Sequence, residues 1–144
     1  MRAQRRRRHA SHLPRRTSPA QVAWAHDGET LYTGSRDRAV HAFDVSALAA
    51  GGEARGAALI ASYVGHLGAV TAVAASPVAH VLASASADRT VRLWDARAHT
   101  QLHAFETHDS DVAAVAWAPS GARIASVSAS GALAVASEGS FTAA

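Results

Sequence analysis

The stretch that decides the fold runs from Leu82 to Asp95 and reads LASASADRTVRLWD. Two runs of β-forming composition, Val81–Ser86 and Thr90–Trp94, flank the polar turn 87–89. Apolar and polar residues alternate along the second run. A period of two that follows a polar turn indicates a β-hairpin with one buried face.

The same pattern recurs upstream and downstream of this hairpin. Residues 31–44 read LYTGSRDRAVHAFD and residues 124–137 read IASVSASGALAVAS, at spacings of 51 and then 42 positions. A unit of about 40–45 residues that opens on Gly-His and closes on Trp-Asp resembles the WD40 repeat, which forms one four-stranded blade of a β-propeller. The resemblance covers residues 15–136 and implies an all-β fold of about three blades.

The chain divides into three predicted parts. Residues 1–18 hold almost nothing apolar and several like charges, so they cannot offset the entropy of ordering and are expected to be disordered. Residues 46–56, with two adjacent glycines, are expected to form a surface loop. The predicted boundaries are a tail at 1–18, repeats at about 19–64, 65–106 and 107–137, and a C-terminal tail at 138–144.

Three blades are too few for a closed propeller, which needs about four to eight. The third repeat also ends without a convincing fourth strand. Three explanations stay open: the chain is a fragment of a longer protein, it completes a propeller with another chain or with copies of itself, or it stands as a small open sheet.

Composition limits the function classes. Cysteine is absent, which excludes disulfides, and no apolar run approaches the 18 residues of a membrane span. The net charge of +3 is unevenly distributed, since residues 1–16 carry seven arginines and no acid, while the remainder carries seven arginines and eleven acids, or −4. The candidate basic arm comprises Arg5, Arg6, Arg7, Arg8, Arg15 and Arg16.

The WD40 resemblance implies a buried hydrogen-bonded network in the second blade, built from His66, Ser84, Asp88 and Trp94. A half-buried aspartate in a tight turn needs donors, which a histidine and backbone N–H groups can supply.

The other two blades depart from this pattern. In the first blade, Asp37 stays while the other positions are occupied by Arg15, Thr33 and Phe43. In the third blade, His108 and Ser126 stay, whereas Ser130 and Ala136 replace the aspartate and the tryptophan. The third blade is therefore expected to be the loosest.

No catalytic residue, metal site or cofactor is expected. Ser84, His66 and Asp88 are the residue types of a hydrolase triad, but no G-x-S-x-G motif surrounds the serine. His99 and His103 would lie about 13 Å apart on a strand, too far for one zinc ion, and together with His108 they are expected to form a solvated edge.

The resemblance implies a noncatalytic protein-interaction scaffold within a multiprotein complex. The candidate partner-binding rim consists of Arg36, Arg38, Arg89, Asp109 and Asp111. Its partners are expected to be other proteins, with no membrane and no small-molecule substrate.

The spacing and the phrase VRLWDAR are somewhat similar to the WD-repeat subunit of the THO mRNA-export complex, which favours the nucleus over the cytoplasm. The alternative function is nucleic-acid binding through the basic arm, which predicts an affinity that falls steeply with salt.

Overall fold

A computed structural model of the chain describes residues 19–49 and 57–137, and their regular secondary structure is almost all β-strand. In chain order the strands are β1 (Pro19–Trp24), β2 (Thr30–Ser35), β3 (Ala39–Asp44), β4 (Ala58–Val64), β5 (Val70–Ala75), β6 (Val81–Ser86), β7 (Val91–Asp95), β8 (Thr100–Phe105), β9 (Val112–Trp117), β10 (Arg123–Ser128) and β11 (Leu133–Ser137). One helical turn, α1 (Ser46–Ala49), follows β3.

The strands form three antiparallel sheets, which we call blades one, two and three. Blade one has the order β1-β2-β3-β4, blade two β5-β6-β7-β8, and blade three β9-β10-β11. Within each blade every strand pairs with the next along the chain, and the first strands of the blades lie side by side, β1 against β5 and β5 against β9. This meander of short strands stacked face to face is the expected arrangement of consecutive propeller blades.

The turn between the second and third strands has the same backbone conformation in every blade. Its third residue has a positive φ of 74° at Arg38, 71° at Arg89 and 88° at Gly131. In each case the backbone N–H of that residue donates to the carbonyl of the serine that ends the preceding strand. A left-handed residue at this point lets the chain reverse within a short turn.

Two apolar layers hold the blades together. Between blades one and two, Tyr63 and Trp94 pack with their rings 5.6 Å apart, and both side chains are almost fully buried. Between blades two and three the layer is made of smaller residues, centred on Leu93, Val112 and Ile124. Burial of these alternating side chains is the main force that stacks the sheets.

The two runs predicted for the central hairpin, Val81–Ser86 and Thr90–Trp94, form β6 and β7, whose bounds lie within one residue of the predicted ones. The predicted loop at 46–56 is different in its first part, since α1 forms there, and Asp44 Oδ1 accepts the N–H of Ser46 at 2.9 Å. The predicted tails at 1–18 and 138–144 lie outside the described residues. Within the part of the chain that is described, no helix is long and apolar enough to cross a membrane.

Candidate interaction rim and its hydrogen-bonded supports

The four network residues of blade two lie in one hydrogen-bonded chain. Trp94 Nε1 donates to Ser84 Oγ at 2.8 Å, and Ser84 Oγ lies 2.6 Å from His66 Nε2. His66 Nδ1 lies 2.9 Å from Asp88 Oδ2. These hydrogen bonds join β6 and β7 to the connection that precedes β5, so they fix the rim end of the blade.

Protonation along this chain follows from the acceptor at its end. An ionised carboxylate only accepts hydrogen bonds, so Nδ1 of His66 carries the proton and Nε2 accepts from the Ser84 hydroxyl. Burial lowers the pKa of His66, although its hydrogen bond to Asp88 acts in the opposite direction. The imidazole is therefore neutral at pH 7.

Asp88 is held as a carboxylate by several donors. Besides His66, it accepts the N–H of Leu67 at 2.9 Å, and the N–H and hydroxyl of Thr90 at 2.9 and 2.6 Å. Burial opposes its ionisation, but hydrogen bonds from Thr90, Leu67 and His66 outweigh burial and hold the pKa of the carboxyl well below its usual value.

The order Asp88–His66–Ser84 matches the connectivity of a hydrolase triad, but the serine has no access to a substrate. Its side chain is fully buried, and its oxygen already accepts the indole N–H of Trp94. A nucleophilic serine needs an exposed oxygen next to donors for an oxyanion. The geometry here suits a structural clamp.

The contacts of two further residues with Asp88 were not predicted from the sequence. Thr90 closes the Asp88 turn through the two bonds described above, and its hydroxyl also lies 3.3 Å from His66 Nδ1. Arg92 Nη2 lies 4.0 Å from Asp88 Oδ2, while Nη1 donates to Gln101. In the sequence, Thr90 could have been recognised by its position directly after the Asp-Arg pair of the turn, from which its hydroxyl reaches the Asp88 carboxylate.

Blade one satisfies its aspartate in a different way. His41, four residues after Asp37, places Nε2 2.9 Å from the Asp37 carboxylate and Nδ1 2.8 Å from Ser62 Oγ. Thr33 pairs with His41 across the strands, and Arg15 lies outside the described residues. The structure thus shows a histidine supplied from β3 and not from the preceding connection.

Blade three holds only part of the network. His108 Nε2 lies 2.8 Å from Ser126 Oγ, but Nδ1 is buried and has no hydrogen-bond partner among the described residues. Ser130, at the position of Asp88, instead contacts Ser128 Oγ at 2.9 Å. His108 is buried, so the expectation of a solvated edge is wrong for this residue.

The other two histidines of that group lie apart from this network. His99 is exposed, and its Nδ1 lies 3.0 Å from the Tyr63 hydroxyl oxygen. The His103 ring packs against the ring of Phe105. Within residues 19–49 and 57–137, no three potential metal ligands lie close enough to hold an ion.

The candidate rim residues are all exposed and lie in two kinds of connection. Arg36, Arg38 and Arg89 occupy the β2–β3 and β6–β7 turns, whereas Asp109 and Asp111 occupy the β8–β9 connection. The two kinds of connection are joined within a blade, because Ala87 N–H donates to Ala69 O and Ala129 N–H to Asp111 O. The six arginines of the candidate basic arm lie outside the described residues.

An open groove of about 590 Å³ crosses this rim between blades two and three. Its walls include Leu67, Arg89, Arg92, Glu106 and His108. Leu67 is 79% exposed, although it is a large apolar residue. A groove with an exposed apolar side chain, arginines and an acid is suited to a peptide segment of another protein.

The sequence matches a known family model over most of its length. The WD40 model (WD domain, G-beta repeat) matches residues 10–44, 57–95 and 99–135. Each of the last two matches begins at or just before the outer strand of one blade and continues through three strands of the next.

Curated relatives carry the name eukaryotic translation initiation factor 3 subunit I. The protein of that name from Coccidioides immitis is 33% identical over 74% of this chain and 28% of its own length. The protein from Aspergillus terreus is 34% identical over 76% of this chain and 30% of its own length. The protein from Pyricularia oryzae is 30% identical over 74% of this chain and 28% of its own length. The chain thus spans less than a third of the length of these relatives. Their name does not support the expected similarity to a THO subunit, nor the expected preference for the nucleus.

Proposed function

The chain belongs to the WD40 family, and on that premise we propose that it is a scaffold segment of a translation initiation complex, in the manner of initiation factor 3 subunit I. The observation that carries this proposal is the 33–34% identity to proteins of that name over about three quarters of the chain. A protein acting in initiation would work in the cytoplasm.

The rim supports the proposal because it combines exposed side chains with a fixed backbone. Arg38 and Arg89 project from turns whose hydrogen bonds fix their geometry, and the Asp88 network holds the connection beside them. A surface that is ordered before binding loses less entropy on association. We therefore assign protein recognition to the rim and its groove.

The charge of the described residues argues against a phosphate-binding surface. Residues 19–49 and 57–137 carry six arginines and nine acids, a net charge of −3. Nucleic-acid affinity depends on cationic side chains that release counterions from the phosphates. The remaining route to nucleic acid is the candidate basic arm at residues 1–16.

Affinity purification of the endogenous protein, followed by mass spectrometry, tests the proposal. We expect subunits of translation initiation factor 3 to be recovered after nuclease treatment, and deletion of residues 1–16 to leave them in place. Substitution of Arg36, Arg38 and Arg89 by glutamate should reduce recovery, whereas Arg123→Glu, an exposed arginine at the start of β10, serves as the matched control.

Two outcomes would contradict the proposal. Recovery of THO subunits in place of initiation factors would assign the chain to a different complex. Loss of every partner on nuclease treatment or on deletion of the arm would support the nucleic-acid function.

A further inference from the structure

The walls of the groove between blades two and three are short of hydrogen-bond acceptors. Within the described residues, two buried side-chain polar atoms have no hydrogen-bond partner, Arg92 Nε and His108 Nδ1, and both residues line this groove. A buried polar atom without a partner is unfavourable, and such atoms often mark where a bound group supplies the partner. The position of these two atoms therefore indicates a ligand that accepts hydrogen bonds.

Asp88, which also lines the groove, does not supply that acceptor. Its side chain is 7% exposed and already accepts from four donors of the surrounding residues. Nη2 of Arg92 lies 4.0 Å from Asp88 Oδ2, beyond hydrogen-bond distance, while Nη1 donates to Gln101. An arginine has five N–H groups, so Arg92 keeps donors for a ligand.

A second arginine adds an unpaired cation to the same wall. Arg89 is exposed and forms no ion pair with the acids in the part of the chain that is described. The turn itself does not require an arginine, because Gly131 has a similar backbone conformation in blade three, and glycine adopts a positive φ at lower cost. The arginine therefore costs the fold some stability, while its guanidinium remains available to a ligand.

An apolar contact lies beside these cations. Leu67 lines the groove with a largely exposed side chain, and its backbone N–H is held by Asp88. A large exposed apolar residue in a fixed position suits a hydrophobic contact with a partner. The volume of about 590 Å³ is within the range of sites that hold a ligand.

This inference rests on the protein recognition that the proposed function assigns to the rim, and it specifies the chemistry of the partner. We propose that the groove binds an acidic segment of another protein. A carboxylate of the segment accepts hydrogen bonds from the Arg89 and Arg92 guanidinium groups, and a neighbouring apolar side chain covers Leu67. A planar guanidinium suits this role because it binds a carboxylate through two parallel N–H bonds. Side-chain movements, which are common at interfaces, bring Arg92 Nε and His108 Nδ1 to acceptors of the segment.

One group of the groove opposes an acidic ligand. Glu106, directly after β8, is exposed and also forms no ion pair within the described residues. Its carboxylate repels a like charge, so its removal should strengthen binding, whereas removal of the Arg89 charge should weaken it. These opposite effects distinguish charge recognition from nonspecific apolar association.

Fluorescence anisotropy of a labelled synthetic peptide that alternates leucine with aspartate and glutamate tests the proposal on the full chain. A counterpart with asparagine and glutamine should bind about tenfold more weakly, because the charge-assisted hydrogen bonds are lost. Arg89→Gln should lower the affinity for the acidic peptide about threefold to fivefold, and Glu106→Gln should raise it about twofold. Arg38→Gln is the matched control, since Arg38 holds the equivalent turn position of blade one at a φ of 74° and does not line the groove.

Nuclear magnetic resonance locates the bound peptide. Titration with the acidic peptide should shift the Arg92 Nε–H and His108 ring signals together with the amide signals of Leu67 and Glu106. The proposal would be overturned by equal affinity for the two peptides, by an unchanged affinity in Arg89→Gln, by shifts confined to residues outside the groove, or by no binding.

These results are separate from those that test the complex. Recovery of initiation factor subunits by a chain that does not bind the acidic peptide would keep the proposed function and overturn the acidic partner. Binding of the peptide in the groove by a chain that recovers THO subunits would support the acidic partner and overturn the assignment to translation initiation.

Discussion

Replacing Ser130 by aspartate should stabilise the protein, because blade three lacks the acceptor that blade two has. Among the described residues, buried His108 Nδ1 has no hydrogen-bond partner, while the equivalent His66 Nδ1 donates to Asp88 at 2.9 Å. The receiving turn has the required shape, since Gly131 and Arg89 have similar positive φ values of 88° and 71°. An aspartate at position 130 thus starts from the same backbone geometry as Asp88.

The size of the effect follows from the group that is satisfied. An unpaired buried polar group costs about 1–3 kcal/mol. The new carboxylate loses some hydration, and the contact between Ser130 and Ser128 is lost, so we expect a net gain of about 1–2 kcal/mol. For a chain of this length that corresponds to a rise in Tm of roughly 4–8 °C.

Thermal and denaturant unfolding of Ser130→Asp measure this gain, and His108→Ala provides the control background. The stabilisation should disappear when His108 is absent, because the new hydrogen bond then has no donor. Ser130→Asn introduces a side chain of the same size as aspartate without its charge, so it should give only part of the stability gained with Ser130→Asp. An equal rise in Tm in the His108→Ala background, or no rise at all, would refute the explanation.

Three further predictions concern blade two. Trp94→Ala should cost about 3–5 kcal/mol, because the side chain is 2% exposed and bonded to Ser84; urea unfolding measures this, and an unchanged midpoint would contradict the packing. Arg89→Gly should raise stability by a few tenths to about 1 kcal/mol, since φ is 71° there; a lower Tm would show that the arginine side chain stabilises the turn. Acid should destabilise the protein in two steps. Because the pKa of His66 is lower in the folded state than its ordinary value of 6.5, the unfolded state takes up its proton first, and stability falls as pH drops below 6.5. The pKa of Asp88 is also lowered, so its contribution to stability is lost in the same way below about pH 4. Unfolding free energies across pH 3–8 test both steps, and His66→Gln should remove the first.

The blades could be predicted from the sequence because their signals are local. Alternating apolar residues and a polar turn predicted β6 and β7 to within one residue, and a constant spacing of 18 positions relates His66 to Ser84 and His108 to Ser126. These features depend on backbone geometry that repeats along the chain.

The remaining features depend on contacts that spacing alone does not encode. His41 serves Asp37 from a position that blade two gives to Arg92, so the repeat alignment offered no reason to select it. The sequence indicated that Ser130 replaces the aspartate, but only the structure shows that His108 Nδ1 is buried without a hydrogen-bond partner among the described residues. The relatives do not support the similarity to a THO subunit that the phrase VRLWDAR suggested. Such a phrase satisfies the packing of a blade and carries no information about the rim.

The unequal networks have a consequence for how a partner binds across the groove. In blade two, Leu67 N–H is tied to Asp88, so that wall of the groove is ordered before the partner arrives. In blade three the equivalent N–H belongs to Asp109, and the aspartate that would accept it is replaced by Ser130. A partner that contacts both walls therefore loses conformational entropy mainly at blade three, and the dissociation rate should depend most on contacts made there.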